Sequence, residues 1–447
     1  MTNQVHEIAC PGGEIQRVQL VRWEDWDRLE FLPVGHSDEA LDCFVRIYRN
    51  FLVPACPWLF GHMVMFRLPE DMPMPFSMET EDYGRVADPL TAAAVALKQG
   101  MFFLGKKPVF RSPGVETFYR ELERRGCLEV VSGKLPITTI IPVGNRSGFL
   151  SRIRQDAAMK VNAPFFIMDR FDCATVYDHI GTHLGLCVKN GVVENPPLYS
   201  REALLVKQDG SVSVTMPDIR EMTLEIGGES YRHGENARIY TRPIRRKTPA
   251  HPGKTLIIVG CRVSAVVEQG RALIPASGFA LCPEGPCHAK PGDRVVIRGM
   301  EDVRFGIQVG NSIVRDGVKT ESFRSRFYNI RRLEPIPYPP SLYPMDFRNG
   351  RAARIALGAD RQGNPMLLWA EGAAKIGHVP GKDSRGASLE DMARICSDLG
   401  MWNGVNLDGG GSAQILLDNT RSMRISDRKE ADGSEAERPV PMGLMLR

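Results

Sequence analysis

The sequence predicts an α+β fold in two parts. A twisted sheet, mixed or mostly antiparallel and with few helices, is expected over residues 151–447, preceded by a smaller α+β domain over residues 1–150. Three observations point there. The chain has 447 residues, enough for two or three domains. Its 43 Gly and 32 Pro make it rich in turns without reaching low complexity, which favours many short strands over a helical bundle. From about Arg152 onward, short β-type runs alternate with turn residues, a texture the first 150 residues lack.

Taken in order, the N-terminal part opens with an aromatic and Pro-rich stretch from Phe51 to Phe76. Two helices are expected after it. Thr91 to Gln99 is Ala-rich and ends at Gly100, and Val115 to Arg125 sets Val115, Phe118 and Leu122 on one face before stopping at Gly126. Beyond Arg152, strands are expected at Ala203–Val206, Thr255–Val259, Val263–Val267 and Val295–Arg298. Asn190-Gly191 and Asp316-Gly317 are hairpin dipeptides flanked by apolar runs. Pro335 to Pro344 reads as an extended connector. Ser388 is a helix N-cap with Asp391 three residues on; Leu389, Met392, Ile395, Cys396 and Leu399 form one face, and Gly400 closes the helix. A strand at Val405–Leu407 then leads into Asp408-Gly409-Gly410-Gly411-Ser412 and a second apolar run, Ala413 to Leu417.

Composition excludes several classes. A hydrophobic fraction of 43% with 25% charged residues is an ordinary globular balance, not a disordered one. A net charge of +4 predicts neither a nucleic-acid partner nor a membrane surface. Met1 to Glu7 has no basic region followed by an apolar core, and no run approaches the roughly 18 apolar residues of a membrane span. The 10 cysteines follow no framework spacing and read as reduced thiols. A cytoplasmic location is therefore expected.

Several motifs fail on chemistry. Gly100 to Lys107 has the spacing of a phosphate loop, but Lys107 replaces the magnesium-binding hydroxyl and Phe102, Phe103 and Leu104 fill the loop. Cys282-Pro-Glu-Gly-Pro-Cys287-His288 offers three soft ligands where structural zinc needs four, and reads as a turn carrying two thiols. His179 and His183 flank Gly181 and Thr182, which argues for a loop, so a divalent metal is conceivable there but unsupported. No metal site and no cofactor are assigned.

Asn406 to Ser412 differs in kind. A strand delivers a carboxylate to its end, and three residues without side chains follow at once, letting backbone amides approach a ligand closely. A nest of N–H groups beside a carboxylate suits an anionic or hydroxyl-rich substrate.

This heptad resembles the signature of the phosphodiester glycosidase family. The likeness extends to Arg354-Ile-Ala-Leu-Gly358, to Asp360–Gly363 with Leu367–Gly372, and to Ser384-Arg-Gly386-Ala-Ser388-Leu389. Upstream, Val161 to Phe166 resembles a family Asn-Gly-Gly-Phe-Phe segment, with Ala163-Pro164 in place of the glycines. Gly306–Gly317 and Arg438-Pro439 complete a resemblance running from about Arg152 to Arg447. It implies hydrolysis of a sugar phosphodiester at the glycosidic C–O bond, releasing free sugar and a phosphomonoester. Asp408 is then nucleophile or general base. Arg354 and Arg438 clamp the phosphate, because a guanidinium pairs phosphate in a bidentate manner. The Gly409, Gly410 and Gly411 amides share that charge; Asn406, Ser412 and Asn162 orient sugar hydroxyls, and Ser384 is a further binding residue. Glu371, His183 and Asp383 are candidates for the second acid/base group. The implied partner is a small molecule or glycan carrying a phosphodiester; a role for residues 1–150 in a homo-oligomer interface is a hypothesis resting on their length and apolar content. Two alternatives stand beside this reading: a phosphodiesterase cutting P–O, and a non-catalytic glycan- or phosphate-binding protein on the same fold.

Overall fold

The computed structural model describes residues 1–34, 63–66, 101–104, 107–110, 113–126, 128–131, 140–142, 148–167, 175, 177–178, 181–198, 201–242, 247–321, 328–329, 334–335, 351–372, 378–426, 435 and 437–447. The site rests on two sheets. The strands that build them are β1 (Thr2–Ala9), β2 (Ile15–Arg22), β3 (Leu29–Pro33), β4 (Met159–Asn162), β5 (Ser312–Arg315), β6 (Val318–Lys319), β7 (Arg354–Ala359), β8 (Pro365–Ala370), β9 (Asn403–Asn406), β10 (Ile415–Leu417) and β11 (Met442–Leu446). One sheet has the order β1-β2-β8-β7-β9-β5-β6 and the other β3-β11-β4-β10, and every pairing in both is antiparallel.

The period-two alternation of the strands explains the layering. Val21, Ile355, Leu357, Leu367, Trp369 and Val405 face one way and pack on Met159, Val161, Ile415, Leu444 and Leu446 of the smaller sheet. Val18, Leu20, Ala356, Met366 and Leu368 face the other way and are covered by Leu389, Met392, Ile395 and Cys396 of a helix at Leu389–Asp398. That helix starts as the sequence predicts, with the Ser388 hydroxyl on the Asp391 N–H and the Asp391 carboxylate on the Ser388 N–H. Central strands are buried on both faces; β7 has no exposed residue at all.

Residues 2–33, expected to lie in a separate N-terminal unit, are hydrogen-bonded into these two sheets. β2 pairs along β8 from Val18↔Ala370 to Arg22↔Met366, and β3 pairs along β11 from Leu29↔Leu446 to Pro33↔Met442. Trp23, Trp26 and Leu29 lie in the same core as Val405 and Leu407. The reason is apolar periodicity: Val18, Leu20 and Val21 require cover on both faces, which a two-stranded hairpin alone does not supply.

Residues between the two halves of this assembly form further antiparallel sheets with a core of their own, around Leu224, Leu256, Ile258, Phe279 and Leu281. The expected strands appear at Ala203–Lys207, Thr255–Val259, Arg262–Val267 and Val295–Arg298. Both hairpin dipeptides take positive φ: 49° and 77° at Asn190 and Gly191, 50° and 76° at Asp316 and Gly317. A helix spans Pro113–Arg124, close to the expected limits. Thr91–Gln99 and most of Phe51–Phe76 and Pro335–Pro344 lie outside the described residues. Among the described residues no helix is long and apolar enough to cross a membrane.

Candidate active site

Asp408 leaves the end of β9, a strand held between β7 and β5 in the middle of the larger sheet. The ladder continues past the strand, with the Leu407 N–H on the Ile355 carbonyl at 2.8 Å. Asp408 then crosses to the smaller sheet. Its N–H donates to the Ala163 carbonyl at 3.0 Å, and its carbonyl accepts from Asn162 Nδ2 at 2.9 Å. The Asp408 backbone is thus fixed at a seam between the two sheets.

Asn162 does not stand ready for sugar hydroxyls as expected. It is 1% exposed, and its Oδ1 accepts the Gln414 N–H at 3.0 Å. Both ends of its amide fasten the loop that follows Asp408, so its role is to position that loop.

The glycines also act differently from the expected nest. Gly409 donates its N–H to Asp408 Oδ1 at 2.9 Å, and Gly410 donates to the Ala353 carbonyl at 2.8 Å. A Cβ at Gly409 would lie 2.6 Å from the Ala353 oxygen, and Gly410 has a φ of 61°. These two residues are glycine because the loop presses against the start of β7, and their amides are engaged within the protein. Gly410–Ser412 forms a single 3-10 turn in which Gly411 and Ser412 are buried.

Four groups stabilise the Asp408 carboxylate: the Ser412 hydroxyl, the Gly409 N–H, and the charges of Arg438 and Arg354. Burial outweighs them and lifts the carboxyl from 3.8 to about 6. Arg354 opens β7, is 6% exposed, and is aimed by its Nε donating to the Ala387 carbonyl at 3.2 Å. Arg438 is half-buried on the segment leading to β11. It sits between two fastenings: the Glu437 carboxylate accepts the Ser151 N–H at 3.0 Å and meets Arg421 at 3.6 Å, and Val440 bridges Gly148.

Asn406 is 3% exposed; its Nδ2 reaches the Leu407 carbonyl at 2.7 Å, and its buried Oδ1 has no partner. Its backbone is gripped by the Gly310 N–H at 2.9 Å and the Asn311 carbonyl at 2.9 Å. Gly310 was not singled out from sequence, yet a Cβ there would lie 2.5 Å from the Asn406 oxygen. Its one signal is its place within Gly306–Gly317.

Glu371 and Ser384 are brought to each other. The Ser384 hydroxyl donates to Glu371 Oε2 at 2.6 Å and accepts the Arg17 N–H at 2.9 Å. Arg17 Nη1 reaches the same carboxylate oxygen at 3.5 Å, and the Arg424 N–H reaches Oε1 at 2.9 Å. Both carboxylate oxygens of this 2% exposed residue are therefore held, which suits a structural knot better than a proton shuttle. Asp383 accepts the Val379 N–H at 2.9 Å in an exposed turn. His183 pairs with Phe166 in a two-residue ladder beyond Asn162. His179 lies outside the described residues. The Cys282 thiol contacts Thr255 and the Cys287 thiol accepts from Tyr231, so the two diverge. Among the described residues no three His, Cys, Asp or Glu side chains gather to hold a metal.

Residues 261–447 match the model of the phosphodiester glycosidase family. The chain resembles that family. A stretch of 81 residues is 37% identical to N-acetylglucosamine-1-phosphodiester alpha-N-acetylglucosaminidase of Mus musculus, and an 81-residue stretch is 37% identical to the Homo sapiens protein of that name. Each alignment covers 18% of this chain and spans only 14% of the relative's length. Among solved structures, the zebrafish N-acetylglucosamine-1-phosphodiester alpha-N-acetylglucosaminidase catalytic domain, auto-inhibited by its pro-peptide, aligns at 12% identity over 100% of this chain and 82% of that one, with a TM-score of 0.38. The phosphodiester glycosidase match contains Arg354, Asp408 and Arg438 and leaves out Asn162 and His183.

Proposed function

We propose that this protein is a phosphodiester glycosidase, hydrolysing the glycosidic C–O bond of a sugar phosphodiester to free sugar and a phosphomonoester. The observation that carries the reading is a carboxyl lifted to about 6 at a strand end, faced by Arg438 and Arg354. A carboxylate with that pKa is ionised at neutral pH yet basic enough to take a proton from water or attack an anomeric carbon. The departing group is already a phosphate, so strong acid assistance is less needed than in an ordinary glycosidase. What the reaction needs is charge neutralisation on the phosphate and stabilisation of an oxocarbenium-like centre.

The residues divide accordingly. Asp408 serves as nucleophile or general base. Arg354 and Arg438 take the phosphate. Ser412 and the Gly409 N–H hold the Asp408 carboxyl in one orientation, and the buried Asn406 steadies the strand end that delivers it. Asn162 and Gly310 keep this loop in register between the sheets.

The test is phosphorus NMR on a panel of sugar phosphodiesters and nucleotide sugars in water enriched in heavy oxygen. Unlabelled phosphomonoester with labelled free sugar is expected. Label in the phosphate means P–O cleavage and overturns the assignment. Saturable binding without turnover, unchanged in Asp408→Asn, makes it a binding protein.

A further inference from the structure

Lys160, on β4, is 0% exposed: a lysine sealed from water. Its register partners are Leu416 and Met445. Both belong to an apolar cluster, with Leu150, Phe166 and Val440, on the face of the smaller sheet turned away from the larger one. The ammonium group donates to the carbonyl of Ile153, which packs on the same cluster, at 2.7 Å. Burial lowers the pKa of the ammonium, and the charges of Glu437 and Asp156 act against that. A methionine would fill the space with no charge to desolvate, so packing alone does not account for a lysine here.

We propose that Lys160 is a positioning residue for Arg438, which the glycosidase reading assigns to the substrate phosphate. The link between them is short. Leu150–Arg152 is a single 3-10 turn, and Lys160 fastens Ile153, the residue that ends it. The turn then carries the segment that bears Arg438. The Ser151 N–H donates to the Glu437 carboxylate at 3.0 Å, and Gly148 and Val440 exchange backbone bonds of 3.1 and 2.8 Å. Arg438 lies between these two fastenings, and its charge reaches the Asp408 carboxylate.

The packing leaves this turn little freedom. Leu150 presses on Gly443 of β11, where a Cβ would lie 2.8 Å from Leu150 Cδ2. Gly443 is in turn the register partner of Asn162, which pins the Asp408 loop. One strand thus serves both halves of the site, the carboxylate through Asn162 and the guanidinium through Lys160. The two carboxylates whose charges Lys160 feels already have arginine partners, Arg154 on Asp156 at 2.7 Å and Arg421 on Glu437 at 3.6 Å. Its own short bond is the one to Ile153, so the turn is what it holds.

Carbon-13 NMR of the full chain labelled at its aspartate carboxyls tests this, the Asp408 signal being the one lost in Asp408→Asn. Wild type, Arg438→Gln, Lys160→Met and Lys160→Gln are titrated. Both Lys160 variants withdraw the bond to Ile153, the first by removing the donor and the second by shortening its reach. Lys189→Met is the control, because Lys189 holds other carbonyls, those of Asp27 and Leu29. Loss of a facing cation raises a carboxyl midpoint, by about one pH unit or more in Arg438→Gln. The Lys160 variants are expected to raise the Asp408 midpoint about half as far, and Lys189→Met to leave it in place. A merely structural lysine would lower the unfolding midpoint without moving Asp408. An Asp408 midpoint unmoved in whichever Lys160 variant folds overturns the proposal, as does one unmoved in Arg438→Gln or moved equally in Lys189→Met. Steady-state kinetics give a second readout. KM should rise about fivefold in Lys160→Met with kcat nearly unchanged, and adding Glu437→Gln should raise it no further, since both act on one segment. The titration involves no turnover, so it decides the role of Lys160 even where the glycosidase reading fails.

Discussion

Asp408→Asn is expected to make the protein more stable and nearly inactive, and the two effects come from one cause. The folded protein raises the Asp408 carboxyl from 3.8 to about 6. The ionised form is thus less favourable in the folded state than in the unfolded chain, by about 3 kcal/mol. The sign follows from proton linkage. Below pH 3.8 both states hold the proton and the penalty vanishes. As the pH rises towards 6 the unfolded chain releases its proton first, so stability falls, and above about 6 the full penalty is present. Asparagine is neutral at every pH and keeps an acceptor for the Gly409 N–H. Urea unfolding should therefore show the variant more stable than wild type by up to about 3 kcal/mol at neutral pH, and nearly equal to it below about pH 4. In the same preparations turnover should fall by about 10² or more, and wild-type kcat/KM should rise with pH through about 6. A variant less stable than wild type at neutral pH, or a gain independent of pH, would refute the account of a strained, functional carboxylate.

Arg354→Ala should raise KM by about tenfold or more with a smaller change in kcat, the loss of a charge-assisted bond being worth about 1.5–3 kcal/mol. Steady-state kinetics on the hydrolysed phosphodiester decide it, and unchanged values of both constants remove Arg354 from the site. Gly409→Ala places a methyl group 2.6 Å from the Ala353 oxygen and should destabilise by about 1–3 kcal/mol in urea unfolding. Wild-type stability there would show that the glycine is not required by close approach. Glu437→Gln keeps an acceptor for the Ser151 N–H but weakens the pairing with Arg421, loosening the segment that carries Arg438. KM should rise about fivefold while kcat and the unfolding midpoint hardly move, and Glu437→Asp should recover most of the loss; a change in kcat alone would place Glu437 elsewhere in the mechanism.

What was legible in the sequence was local. Ser388 and Asp391 are three residues apart and complete a capping box within one turn, so nothing distant decides that helix start. Asn190-Gly191 and Asp316-Gly317 specify positive φ by their own side chains, or lack of them. The place of Asp408 was legible too, because an apolar run that ends in a carboxylate followed by glycines reads as a strand end and a turn. The rest depended on partners far along the chain. Val18, Leu20 and Val21 look like any half-buried strand, and only the open edge of β8 makes them part of the larger sheet.

The glycines after Asp408 show the limit most clearly. A sequence records that side chains are absent; it does not say whether the space admits a ligand or a neighbouring strand. Here the Ala353 carbonyl occupies it, and the Gly409 amide turns back to the Asp408 carboxylate. Glu371 gives the converse case. An acidic residue beside a family-like strand reads as a catalytic candidate, yet Ser384, Arg17 and the Arg424 N–H take up its oxygens. What distinguishes the two carboxyls is donor supply against burial. Glu371 has partners for both oxygens, whereas Asp408, despite four stabilising groups, is left with a net penalty on its charge. That imbalance is why Asp408, rather than Glu371, is proposed as the reacting group.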